Sequence, residues 1–198
     1  MDQNHLIVGI SGASGAVYGV RLLEALGPLP VTTHLIMTRA AEMTLAYETD
    51  HKVAEVRALA DVFHPINDVG AAPSSGSFPT LGMIIAPCSM KSLAEIATGV
   101  TSNLLTRAAD VTLKERRRLV VVPRETPLHA VHLRNMLTLS EMGAIVAPPV
   151  PAFYAKPRDL KEMVDQTVGR LLDLFGLDTG RVRRWRLSEA KSGGRQDP

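Results

Sequence analysis

The chain lacks most of what would mark a secreted, membrane-borne or metal-dependent protein. A single cysteine, Cys88, excludes an internal disulfide and suits a reducing, cytoplasmic compartment. Apolar runs such as Leu119–Val122 and Met83–Ala86 are far shorter than a membrane span, so no membrane association is expected. Met1–His5 has no basic stretch leading into an apolar one, and no leader is expected. Aromatic residues are 4% of the chain, with one tryptophan, Trp185, and the net charge is only +2. Stacking surface and positive field are both too small for nucleic acid to be an expected partner. Asp-Asp-x-x-Asp is absent and the histidines have no ligand spacing, so no metal site is expected.

What the chain does have is alternation. Short β-branched or apolar runs take turns with segments of helical period, the pattern of a parallel sheet flanked by helices. Strands are expected at Leu6–Ile10, Thr33–Met37, Met83–Ala86, Leu119–Val122 and Ala144–Ala147. A helix is expected from near Ser14, with Val17, Val20, Leu23 and Leu26 on one face. Others are expected over Ala40–Tyr47, Lys91–Ala97, Asn103–Arg117, Leu128–Met142 and Leu160–Phe175. Ser14, Thr38 and Ser89 stand where N-caps belong. The Gly-, Pro- and Ser-rich stretch Pro65–Pro79 reads as a loop with mobility near a site. The implied architecture is one α/β domain over residues 1–187, with residues 188–198 as a mobile polar tail. It is a three-layer Rossmann-like (flavodoxin-like) parallel sheet with helices on both faces.

Open parallel sheets bind ligands beyond the carboxyl ends of their strands. There the sequence places Ser11–Gly15, Thr38, Cys88-Ser89, Pro123–Thr126 and the proline-rich Pro148–Pro157. Hydroxyls, a basic residue and helix starts converge on one edge, which suits an anion. The spacing Gly9-x-x-Gly12-x-x-Gly15 is not the dinucleotide fingerprint, and Thr38-Arg39 stand where an NAD-binding acid would be. A mononucleotide fits better. On the glycines alone, tight helix–strand packing without any ligand stays open.

Four segments carry a closer likeness: "GISGASGAVYGVRLLEAL", "GMIIAPCSMKSLAEIATG", "NLLTRAADVTLKERRRLVVVPRETPLH" and "GAIVAPPVPAFYAKP". In order and spacing they resemble the UbiX-type flavin prenyltransferases, over nearly the whole chain to about Trp185. The resemblance implies an enzyme that joins a dimethylallyl group, from dimethylallyl phosphate, to N5 and C6 of reduced FMN. The prenylated FMN would serve a UbiD-type decarboxylase, in ubiquinone synthesis or aromatic-acid breakdown. By matching motif, FMN would contact Gly12, Ala13, Ser14, Thr38, Ser89, Met90, Lys91, Ser92 and Arg124. Thr38 departs mildly from the family's more usual serine. Lys114, Arg124, Glu125, Tyr154 and Arg170 would hold the prenyl phosphate, and Trp185 would cover the site. Glu48 would lie at the reacting edge of the flavin. The resemblance also implies a homo-oligomer, commonly a dodecamer, with sites at subunit interfaces.

Elementary chemistry accommodates these roles. Breaking a carbon–oxygen bond to phosphate leaves negative charge, which Lys114, Arg124, Arg170 and the Tyr154 hydroxyl can meet without metal. Glu125 can return a proton to the departing phosphate. Glu48 can accept the proton released on alkylation, with Ser14 positioning it. Met90, Phe153 and Trp185 can keep water from a reactive cation. Each residue also has a plainer reading: Lys114 and Arg170 as solvated helix residues, Tyr154 as packing, Glu48 as a helix end, and Cys88 as a small core residue. Two other functions compete. One is an FMN-dependent decarboxylase of the cysteine-decarboxylase type, which carries Pro-Ala-Ser-Ala-Asn-Thr where this chain has Pro87–Ser92. The other is a non-catalytic flavin-carrier subunit of a hydroxyarylic acid decarboxylase. Lys91 and the Arg124-Glu125 pair speak against the first, and the full set of candidate catalytic residues against the second.

Overall fold

Runs of Val, Ile, Leu and Met that must be buried on both faces build a parallel sheet. In the computed structural model, which describes residues 4–185, six parallel strands lie in the order β3-β2-β1-β4-β5-β6. They are β1 (His5–Ile10), β2 (Thr32–Met37), β3 (Val62–His64), β4 (Gly82–Cys88), β5 (Arg118–Pro123) and β6 (Ile145–Val146). The helices are α1 (Ala16–Leu26), α2 (Arg39–Glu48), α3 (Val53–Ala58), α4 (Met90–Ala97), α5 (Leu104–Lys114), α6 (Ala130–Glu141) and α7 (Leu160–Asp173). The tail at 188–198 lies outside the described residues. No helix among the described residues is long and apolar enough to cross a membrane.

Alternation along the strands sends side chains to opposite faces. Ile7, Ile36, Met83, Ile85, Leu119 and Val121 pack with Leu93 and Ile96 of α4, Leu104, Leu105 and Ala108 of α5, and Leu139 of α6. On α1, Leu22, Leu23 and Leu26 are fully buried, and Gly19 comes so close to β4 that a Cβ there would lie 2.7 Å from the Ala86 carbonyl. Each buried side chain of this kind contributes about 1.5–3 kcal/mol. The strand order reverses between β1 and β4, which opens a crevice at their carboxyl ends.

The structure corrects several expectations. β3 and α3 had no forecast: three and six residues are too short to display a period. α5 stops at Lys114 because Arg116 turns left-handed at φ 56°, so Arg117 lies beyond the helix. The segment Pro65–Pro79 includes a 3-10 turn at Ala72–Ser74, and α5 pins it. The Leu104 amide donates to Ile66 O at 2.9 Å, and Arg107 Nε donates to Ser74 O at 3.3 Å. Compactness divides the chain into two units, Met1–Pro149 and Val150–Pro198.

Candidate active site

The first unit gathers its chemistry where β1 and β4 end. Ser11 stitches the two strands together: its hydroxyl donates to Pro87 O at 3.0 Å and accepts the Ser89 amide at 2.7 Å. This fixes the start of α4. Ser89 caps that helix, its Oγ accepting the Ser92 amide at 3.2 Å. The first-turn amides of Met90 and Lys91 have no intrahelical acceptor and remain as anion donors. Across the crevice, Thr38 caps α2 as its position suggests, Oγ1 accepting the Ala41 amide at 3.1 Å. The Lys91 side chain is 80% exposed, whereas Ser92 is buried, and Met90 packs against the core of the first unit.

The glycine turn is built differently from the sequence expectation. Ser14 is not the N-cap of α1. That position belongs to Gly15, at φ 103°, a left-handed conformation few side-chain-bearing residues adopt. Gly15 has no capping side chain, and the cap comes from another helix. Glu48, the last residue of α2, accepts the Gly15 amide at 2.8 Å and the Ala16 amide at 3.1 Å, and the Ser14 hydroxyl also donates to it. Ser14 and Glu48 are thus in direct contact. Burial pushes the Glu48 carboxyl upward, but those three donors and the charge of Arg124 outweigh it, leaving the group below the ordinary carboxylate range. Gly12 is required by space: a Cβ there would stand 3.0 Å from the carbonyl carbon of Ala40 in α2.

Arg124 follows β5 at the same edge. Its amide donates to Cys88 O at 3.4 Å, and its guanidinium is exposed and makes no side-chain ion pair among the described residues. Its charge reaches both Glu48 and Tyr18. Glu125 is turned away onto the next peptide, Oε1 accepting the Thr126 amide at 3.0 Å. Tyr18 was not foreseen. Its ring folds back over Gly15, and burial raises its phenol pKa against the opposing charge of Arg124. The Gly15–Tyr18 spacing, one helical turn, was the available signal. Cys88 is buried, and burial alone pushes its thiol up to about 12, so it is inert as a nucleophile.

Lys114 does not join this edge. It ends α5, beside Gly76 and four residues before β5 begins, whereas Arg124 follows the end of that strand. A six-residue strand separates the two by about 20 Å. Lys114 is paired with Glu115 and half-exposed.

In the second unit, Trp185 meets Tyr154 edge to face, with ring centroids 5.5 Å apart. Gln166 ties the segment together, accepting the Arg183 amide at 2.9 Å and donating to Arg183 O at 3.1 Å. Arg170 pairs with Asp173, which Arg184 also grips through both oxygens at 2.8 and 2.9 Å. The Arg184 fork, against the opposing effect of burial and with Arg170, holds the Asp173 carboxyl below its usual range. Phe153 and Trp185 are largely exposed. No group of three or more metal-ligating side chains occurs among the described residues.

Comparison with known proteins identifies the family and the fold. The Flavoprotein family model matches residues 1–172. The chain is 58% identical to flavin prenyltransferase UbiX of Escherichia coli (strain K12) over 176 residues, 88% of this chain and 93% of that protein. Among solved structures it resembles AnUbiX in complex with FMN and dimethylallyl pyrophosphate, with a TM-score of 0.91 and 55% identity, covering 92% of this chain and 97% of that one. It also resembles a dodecameric FMN-dependent UbiX-like decarboxylase from Escherichia coli O157:H7, with a TM-score of 0.90 and 52% identity, covering 91% and 98% of the respective chains.

Proposed function

The chain belongs to the Flavoprotein family and, within it, to the UbiX-type flavin prenyltransferases, and on that premise we propose that it transfers a dimethylallyl group from dimethylallyl phosphate to N5 and C6 of reduced FMN. The observation that carries this reading is the contact of Ser14 with an ionised Glu48 at the start of α1, facing the charge of Arg124. A carboxylate held deprotonated next to a hydroxyl can take the proton released when a ring nitrogen or carbon is alkylated.

The donors along the crevice suit a flavin mononucleotide. The α4 amides at Met90 and Lys91, the hydroxyls of Thr38 and Ser89, and Arg124 offer short, mixed donation to one phosphate. Gly12, Ala13 and Ser14 complete the FMN set, with Ser92 behind it. When bound, the reduced flavin supplies the nucleophilic ring. Lys114, Arg124, Tyr154 and Arg170 meet the charge of the departing phosphate, Glu125 returns its proton, and Trp185 limits water. Because Lys114 and Arg124 stand at opposite ends of β5, a second copy of the chain supplies Lys114 in this reading. A homo-oligomer, of dodecamer type, follows as part of the reading, as do a UbiD-type decarboxylase receiving the product and a cytoplasmic location.

The test is direct. The protein is incubated anaerobically with reduced FMN and dimethylallyl phosphate and the released flavin is weighed by mass spectrometry. A flavin heavier by one prenyl unit is expected, and unmodified FMN after full substrate binding would refute the activity.

A further inference from the structure

We propose that Gly76, fixed in place by Arg117, is a positioning residue for Lys114: its missing side chain leaves the space in which the lysine ammonium rests. The inference builds on the reading of Lys114 as a ligand of the prenyl phosphate and deepens it. The segment around Gly76 is clamped by α5 and by the turn that follows it. Arg117 donates to Gly76 O and Phe78 O, both at 2.7 Å, and Arg107 holds Ser74 O. The planar guanidinium fork suits two carbonyls two residues apart, and no other side chain offers that geometry. Ser75 and Ser77 close the turn across Gly76, their hydroxyls 2.8 Å apart.

The glycine is needed here for room and not for backbone freedom, since its φ lies outside the left-handed region. A Cβ at Gly76 would stand 2.8 Å from Lys114 Nζ and 2.8 Å from Glu115 Cδ, and closer still to a Glu115 carboxylate oxygen. Lys114 and Glu115 form an ion pair, but an exposed pair alone holds a long side chain weakly. The floor beneath the pair is what narrows its positions, and that floor is Gly76. The atoms a methyl would strike are the ends of two half-exposed, flexible side chains. The added carbon would therefore move the cation while the backbone stays where it is.

Gly76→Ala, Arg117→Met and Lys114→Met are made in the full chain, and each is measured for thermal midpoint, FMN affinity, dimethylallyl phosphate affinity in the FMN-loaded protein, and single-turnover rate. Gly76→Ala is expected to keep its midpoint and FMN affinity and to weaken dimethylallyl phosphate about tenfold, as loss of a charge-assisted contact does. The defect should sit in KM more than in kcat. Arg117→Met, which frees the turn without filling it, should weaken the same ligand in the same direction, and it carries the test should Gly76→Ala not fold. If Lys114→Met binds dimethylallyl phosphate like the unaltered protein, the reading of Lys114 fails first. If Lys114→Met loses affinity while Gly76→Ala or a folded Arg117→Met stays within twofold, the positioning role is overturned.

Discussion

Glu48 closes the amino end of α1 from the carboxyl end of α2, its carboxylate accepting the Gly15 amide at 2.8 Å. One side chain therefore does two jobs, completing a helix start that has no cap of its own and placing an anion beside Ser14 and Arg124. The two jobs separate by substitution. Glu48→Gln keeps an acceptor for the Gly15 amide and removes the base, so FMN and prenyl phosphate should bind while single-turnover prenylation slows roughly 100- to 10,000-fold. Glu48→Ala removes the cap as well and should cost about 1 kcal/mol more in stability. A Glu48→Gln protein that prenylates at full rate would remove Glu48 from the chemistry. One that binds no flavin would make it structural.

The low position of the Glu48 carboxyl has a kinetic consequence. A base must be ionised to act, and the group is held below its ordinary value of 4.5. The acid limb of the single-turnover rate should therefore fall below pH 4.5, and Ser14→Ala, which removes a donor to the carboxylate, should shift that limb upward. An acid limb near pH 6 would point to a different base.

Stability should depend on pH through a different part of the first unit. His34 is buried between His5, at 3.0 Å, and His64, at 2.9 Å, with Asp61 nearby. Burial first, then the two neighbouring imidazoles, lower its pKa from 6.5 to about 4, against a smaller opposing pull from Asp61. With the folded pKa lowered, the unfolded chain takes up the proton first. The stabilisation is complete above pH 6.5 and is lost as the pH falls from 6.5 to 4. The loss should amount to about 2–3 kcal/mol. Denaturant titrations across that range should show the slope, and His34→Asn should flatten it. An unchanged slope in that variant would assign the dependence elsewhere.

These residues also mark how far the sequence could be read. The central strands were legible because sites buried on both faces demand unbroken apolar runs, as in β4 and β5. Thr38 and Ser89 were legible because a cap hydroxyl acts within three residues of its own position. Glu48 capping Gly15 across 33 residues was not, because nothing local distinguishes it from an ordinary helix-ending acid. For the same reason Ser14 reads as the cap in the sequence, although Gly15 holds that position. Likewise, Lys114 reads as one of several site cations in a linear motif. Only the direction of α5 relative to β5 reveals that it stands at the opposite end of β5 from Arg124.

Ligand preference and metal need are separable expectations. The donor set at Thr38 and Ser89–Ser92 suits one phosphate monoester, so fluorescence titration should find FMN bound more tightly than FAD or NADP. Equal affinities would sink the mononucleotide assignment. If Lys114, Arg124 and Arg170 supply the positive charge, as proposed, turnover should survive exhaustive chelation. Activity lost on chelation and restored by magnesium would show that side chains alone do not meet the charge.

Arg170 tests the phosphate assignment within the second unit. Its guanidinium is paired with Asp173, which Arg184 also holds, so removing it leaves Asp173 with a partner and should leave the helix intact. Arg170→Ala should weaken dimethylallyl phosphate roughly 10- to 100-fold with FMN affinity and thermal midpoint little changed. A variant with unaltered substrate affinity would make Arg170 a surface residue.

The separation of Lys114 from Arg124 yields the strongest prediction about assembly. Arg118 opens β5 and Arg124 follows its close, a distance of about 20 Å at the strand rise. Lys114 precedes that strand and lies against Gly76, at the opposite end of β5 from its own chain's Arg124. If a neighbouring copy supplies the lysine, two defective proteins should repair each other. Lys114→Met and Arg124→Met, each inactive alone, are co-expressed with different tags, and oligomers carrying both tags are purified. A site drawing its lysine from one copy and its arginine from another would be intact in about a quarter of cases on random mixing. Single-turnover prenylation should recover to about that fraction, whereas separately purified proteins mixed without subunit exchange should stay inactive. If the doubly tagged oligomers remain as inactive as their parents, both residues act within one chain or Lys114 does not act at all, and the shared site is wrong.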